Sequence, residues 1–174
     1  MMIDAEIDGS ALRPQFIGRM REVPGAVAII ATAENGEFRG LVATAWCSLS
    51  ADPPSMLICV NKSASAHDAI VRVGIFSVNQ LANGHDEMVE IFSNRRGLKD
   101  HARFIGSEWR VGETGAPLLE KAVTAYDCHV VSRLEHGTHS IFVGNVVGLH
   151  VSEGECVPLS YLGGKLCTSM PIVA

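Results

Sequence analysis

A chain of 174 residues is sized for one folded domain, and an apolar fraction of 47% is ample for one packed core. The formal charge of −5 comes with no basic stripe, and Arg95-Arg96, the one paired cation, reads as a solvated loop, so nucleic acid is excluded as a partner. Charged residues make up only 19%, too few for a surface wetted all round, so part of that surface is expected to be covered, most simply by a second copy of the chain.

The five cysteines are odd in number and show no Cys-x-x-Cys spacing. Cys47, Cys59 and Cys128 sit inside apolar runs and read as reduced core residues of a cytoplasmic protein. Met1 to Ser10 is acidic and lacks an apolar leader, and no apolar run is long enough to span a bilayer, so no membrane association is expected. The whole of 1–174 reads as a single domain, with 1–9 a polar tail.

Ser10 can cap a helix running to about Val23, with Leu12, Phe16, Ile17, Met20 and Val23 on one face. Pro24-Gly25 ends it. Ala26 to Ala33 is an apolar strand, Asn35-Gly36 carries the signal of a tight hairpin, and Phe38 to Trp46 returns. Asp52-Pro53-Pro54 turns the chain into a strand over Ser55 to Val60. Ser65 to Asp68 has the pattern of a helix N-cap with an acid three residues on, opening a helix that Gly74 closes near Val73. Ile75 to Leu81 alternates as a strand, and His85 to Ser93 reads as a helix with Met88, Val89 and Phe92 inward. Residues 93–120 are glycine-rich and irregular, too long for a plain connector, and read as loops covering a site or an interface. Val123 to Leu134 and His139 to Val151 form a long hairpin, and Pro158 to Leu166 is a last single strand. About six or seven strands joined by hairpins, with three short helices, predict a mainly β, antiparallel small barrel. No Gly-x-Gly-x-x-Gly follows a strand, which argues against a dinucleotide-binding α/β sheet.

Chemistry-bearing residues concentrate between Gly40 and Ser65. Thr44, Ser48, Ser50, Ser63 and Ser65 supply short hydroxyls, Lys62 a charge and Asn61 an amide, a set suited to an anionic planar ligand at a strand edge. The same set also fits a polar hairpin, since Ser and Thr are common at turns. His136-x-x-His139 on a strand would send its two rings to opposite faces, so no metal site is expected. His139 follows Gly137-Thr138 and begins an apolar strand, which puts its ring at a barrel mouth. Trp46 could stack on a ligand or pack into the core. Tyr161-Leu162-Gly163-Gly164-Lys165 pairs two glycines with a cation.

In order along the chain, these landmarks resemble the short-chain flavin reductases, the reductase components of two-component flavin-dependent monooxygenases. The resemblance rests on Ala43-Thr44-Ala45-Trp46-Cys47-Ser48-Leu49-Ser50, Asp52-Pro53-Pro54, Asn61-Lys62-Ser63-Ala64-Ser65 and Phe76-Ser77-Val78-Asn79. It continues through Arg103-Phe104, Trp109, Gly115-Ala116-Pro117-Leu118-Leu119, Asp127-Cys128, Gly137-Thr138-His139, Val143-Gly144-Asn145 and Tyr161 to Lys165. The last motif departs from the family pattern, lacking its first arginine and its final aromatic.

The resemblance implies an FMN-binding split barrel, normally a homodimer, that reduces FMN or FAD with NADH or NADPH and serves a flavin-dependent oxygenase. It implies that Thr44, Ala45, Trp46, Cys47, Ser48, Leu49 and Ser50 line the isoalloxazine and ribityl chain. Asn61, Lys62 and Ser63 would meet the phosphate, His139 would sit beside the flavin and hold the nicotinamide, and Tyr161 and Lys165 would lie at the cofactor edge. The competing reading is a non-catalytic flavin-binding module on the same barrel.

Overall fold

The computed structural model describes residues 11–169. The polar tail and the Ser10 cap therefore lie outside the described residues. Helix α1 (Arg13–Met20) precedes strands β1 (Gly25–Ala26), β2 (Ala28–Glu34) and β3 (Glu37–Ala43), with Asn35 and Gly36 at φ 53° and 80° making the tight turn that Asn-Gly predicts. Next come β4 (Trp46–Ala51), β5 (Pro54–Asn61), α2 (Ser65–Val73), β6 (Ile75–Gln80) and α3 (Asp86–Phe92). A 3₁₀ turn (Asp100–Phe104) and the short pair β7 (Trp109–Val111) and β8 (Pro117–Leu119) give order to much of the stretch read as loops. The chain ends in β9 (Thr124–His136), β10 (His139–Val151), β11 (Leu159–Leu162) and β12 (Lys165–Thr168).

The strands form a seven-stranded antiparallel sheet in the order β3-β2-β6-β9-β10-β5-β4 and a smaller sheet β1-β11-β12. The large sheet curls around one core cluster that includes Ile30, Ile58, Phe76, Val78 and Phe142. A second cluster on its other side, with Ile29, Leu81, Phe92, Phe104 and Leu119, is covered by α3, the 3₁₀ turn and β8. Phe76 and Phe142 are wholly or almost wholly buried, each worth about 2–3 kcal/mol of transfer free energy. Because β6 lies between the two clusters, it is buried on both faces rather than alternating with solvent. Its polar residues are satisfied internally: Asn79 Nδ2 donates to Ile29 O (3.1 Å), and Asn79 Oδ1 accepts from Leu119 N (2.8 Å).

The apolar face of α1 is open: Leu12, Phe16, Ile17, Met20 and Val23 are all exposed, because α1 leads into an edge strand and no described element packs over it. Three expectations are corrected. The last strand is two, since Gly163 and Gly164 at φ 62° and 83° turn Leu162 back onto Lys165. Ser65 does not cap α2. Ala64 is the N-cap and lends no side-chain bond, while Asp68 turns to His67. His136 and His139 are direct cross-strand partners, which places them on the same face of the sheet. The two-residue turn between them replaces the continuous strand on which opposite faces were expected.

Candidate functional site

Three adjoining hollows run along β3 and one side of α3. The first, about 510 Å³, is walled by Leu41, Val42, Ser63, Ser65, Lys99 and Arg103, among others. The second, about 240 Å³, shares Val42 and Ser93 with it and is lined chiefly by aliphatic side chains, with Thr44, Tyr161 and Arg95 at its walls. The third, about 380 Å³, shares Tyr161, Arg95, Val89 and Leu166 with the second and reaches Lys165. The groove thus grades from a cationic, hydroxyl-bearing end to an apolar slot.

The polar end has a local cause. Asn61 Oδ1 accepts from both Ser63 N and Ser63 Oγ at 2.9 Å, closing a turn that aims α2 at the groove. With only Ala64 at the cap, the first backbone N–H groups of α2 receive no side-chain oxygen, and the helix presents its positive end there. Arg103 ties the 3₁₀ segment down by donating to Leu98 O (2.8 Å), Gly40 O (3.0 Å) and Asn94 Oδ1 (3.2 Å). Asp100, the carboxylate in this hollow, is paired with Arg39 at 3.2 Å. Lys99 makes no ion pair among the described residues. Hydroxyls, an uncapped helix start and a spare cation fit a phosphate, and the aliphatic slot next to them fits a flat ring system.

The residues singled out from the sequence are placed unequally. Thr44, Ser63, Tyr161 and Lys165 line the groove. Lys62 instead pairs with Glu135 at 2.9 Å and lowers that carboxyl's pKa, while its backbone N–H donates to Thr138 O. Trp46 is half-buried, its Nε1 donating to Ala26 O (2.9 Å) and its ring tilted against Tyr126. Ala45 O accepts from Cys59 N, and Cys47, Ser48, Leu49 and Ser50 are exposed on the edge strand β4. His139 is exposed at the start of β10, opposite Asn61 in register, with Nδ1 2.9 Å from Thr138 Oγ1. Ser65, which the sequence offered both in the hydroxyl set and as a cap, lines the groove. Arg95, Lys99 and Arg103, scattered cations in a loop, went unread as site residues, and their signals were the glycine-rich length of that loop and, for Arg103, the Arg103-Phe104 landmark.

Residues 20–170 match the model of the flavin reductase like domain family. The chain belongs to that family. It is 39% identical over 137 residues to the FMN reductase (NADH) RutF of Ancylobacter novellus, covering 79% of this chain and 75% of the relative. The NADH:FAD oxidoreductase SgcE6 of Streptomyces globisporus superposes with a TM-score of 0.83 at 28% identity, covering 96% of this chain and 99% of that one. BorF, the flavin reductase component of a bacterial two-component tryptophan halogenase, gives 0.80 at 28% identity, covering 92% and 98%. The split-barrel fold and family expected from the motifs are met, and the chain is a flavin reductase, an oxidoreductase that moves hydride from a nicotinamide nucleotide to flavin.

Proposed function

We propose that this flavin reductase takes FMN and NADH, works as a homodimer in the cytoplasm, and passes reduced flavin to a flavin-dependent oxygenase. The observation that carries the reading is the graded groove, with Ser63, Ser65, the start of α2 and Lys99 at one end and the aliphatic slot beside Thr44 at the other. The hydroxyls and the cation of the polar end suit a phosphate, which supports a flavin nucleotide, and the relatives named for FMN and NADH support FMN. Lys99 takes the role first expected of Lys62, which Glu135 engages. When bound, the flavin supplies the electrophilic nitrogen that accepts hydride. The chain's own part is placement. Thr44 to Ser50 bring strand-edge backbone to the ring, and His139, steadied through Nδ1 by Thr138, offers Nε2 to the nicotinamide carboxamide.

A second copy has an apolar face to meet. On the outer side of β4, β5, β9 and β10, Cys47, Leu57, Cys59, Leu134, Ile141 and Val143 are half-buried or exposed, while the alternate residues Met56, Ile58, Val60, Ser140 and Phe142 face the core. His139 lies in register with that outer row, which would bring the partner close to the nicotinamide.

The test is NADH oxidation, followed by absorbance, with FMN, FAD and riboflavin against NADH and NADPH, beside flavin fluorescence quenching by the protein. Faster turnover with FMN and NADH, and quenching that needs the phosphate, are expected. Quenching without any nicotinamide oxidation would overturn the enzymatic reading in favour of a flavin-binding module.

A further inference from the structure

His67 lies outside the groove, yet it is a polar ring only 5% exposed in a helix whose other inward residues are Ala66, Ala69 and Ile70. A buried imidazole must find partners for both nitrogens. Nδ1 stands 2.7 Å from Asp68 Oδ1, and Nε2 stands 2.9 Å from Ser140 Oγ. The His67 bond holds the exposed Asp68 carboxyl below the usual carboxylate range. The Asp68 carboxylate accepts from Nδ1–H, which leaves Nε2 to pair with the Ser140 hydroxyl.

Serine, histidine and aspartate joined in this order match the hydrolase arrangement, but here the serine cannot meet a substrate. Ser140 is wholly buried, and Phe142 closes on the His67 ring edge-on at 5.6 Å. The series holds rather than reacts, and what it holds is specific. Ser140 follows His139 on β10, and His67 lies in the first turn of α2, directly after the Ser63–Ser65 turn of the groove. The same segments are also joined by the β5–β10 ladder, which pairs His139 with Asn61 and Ser140 with Val60 but does not reach α2, and by Lys62 N to Thr138 O and Lys62 Nζ to Glu135 at the hairpin tip. The Lys62–Glu135 pair is well exposed, and such pairs are weak.

We infer that Asp68, His67 and Ser140 are positioning residues that clamp the start of β10 to α2 and so set His139 relative to the phosphate end of the groove. The inference rests on the role given to His139 above. It assigns to a buried hydrogen-bond series, added to the β5–β10 ladder, the coupling of α2 to the start of β10.

The test uses His67→Leu, His67→Gln and Ser140→Ala, alone and with His139→Ala. In ligand-free protein, deuterium uptake at Thr138–Phe142 should rise in His67→Leu and Ser140→Ala and stay unchanged at β6. Both variants should raise the NADH KM about tenfold, the cost of losing one buried hydrogen bond, with kcat within about twofold. Gln, whose Oε1 can accept the Ser140 hydroxyl, should restore most of the KM. In the His139→Ala background, His67→Leu should add no further KM loss. Losses that multiply, or unchanged KM and uptake beside a defective His139→Ala, overturn the inference alone. A His139→Ala enzyme with normal KM overturns the role of His139 and the inference with it. Should His67→Leu not fold, Ser140→Ala, which removes a single oxygen, carries the same comparison.

Discussion

A methyl group added at Gly144 should be among the most damaging small changes in the chain. Gly144 lies on β10 at the break in its register with β9, five residues beyond His139. A Cβ built there stands 2.5 and 2.6 Å from ring atoms of Phe76 and 3.0 Å from Cys128 Cβ. Phe76 and Cys128 are both 0% exposed, in a core that also holds Phe142 and Val78, so the ring has no free space to enter. Forced overpacking costs about 1–3 kcal/mol, and contacts this short on a trapped ring put Gly144→Ala at the upper end. For a chain of this size, about 2.5 kcal/mol lowers the melting temperature by roughly 5–10 °C. Urea unfolding of Gly144→Ala, Phe76→Leu and the double variant forms a cycle. Leucine lacks the ring atoms that clash, so the double variant should be more stable than the sum of the singles by about 1 kcal/mol or more. A Gly144→Ala midpoint equal to wild type, or an additive cycle, would refute the packing argument.

Lys99→Met should weaken FMN binding about tenfold while leaving riboflavin affinity unchanged, because the lost contact is with phosphate alone; equal losses for both, read by fluorescence titration, would remove Lys99 from the phosphate end. Glu34 on β2 accepts two hydrogen bonds from Arg72 of α2, one of them 2.9 Å long, and that pairing lowers its carboxyl below the ordinary 4.5. A depressed folded value means its contribution is complete above the unfolded value and is lost as pH falls through the folded one. Glu34→Gln should therefore flatten the fall of the urea midpoint below about pH 4.5; an unchanged slope would count against the pairing. Burial pushes the Cys128 thiol up to about 12, so at pH 8 it should resist alkylation until the protein unfolds, as peptide mass mapping would read. Ile141→Lys should convert the proposed dimer to monomer in sedimentation without lowering the melting temperature by more than a few degrees, since Ile141 lies on the outer row of β10.

The chain's local grammar was legible before any tertiary contact was known. Asn35-Gly36 and Gly137-Thr138 placed two hairpins, Gly74 at φ 69° stopped α2 where its apolar period ended, and Met88 and Phe92 faced the core as their spacing required. These are settled by residues within a few positions of one another, whose backbone preferences are written in their own side chains. Thr44 and Ser63, small hydroxyl residues next to strand ends, line the groove. What the tertiary structure decided depends on partners far along the chain. Ile75 pairs with His129 and Ala28 with Gln80, so β6 is covered on both sides and its polar residues must be satisfied inside. Lys62 meets Glu135 from a later hairpin, and the cationic end of the groove is lined instead by Ser65 and by Lys99 from a loop with no periodic pattern. His67 and Ser140 are 73 positions apart, and no local rule could have joined them. A charge or a ring has no assignable partner until the ladder of backbone hydrogen bonds has set which strands are neighbours.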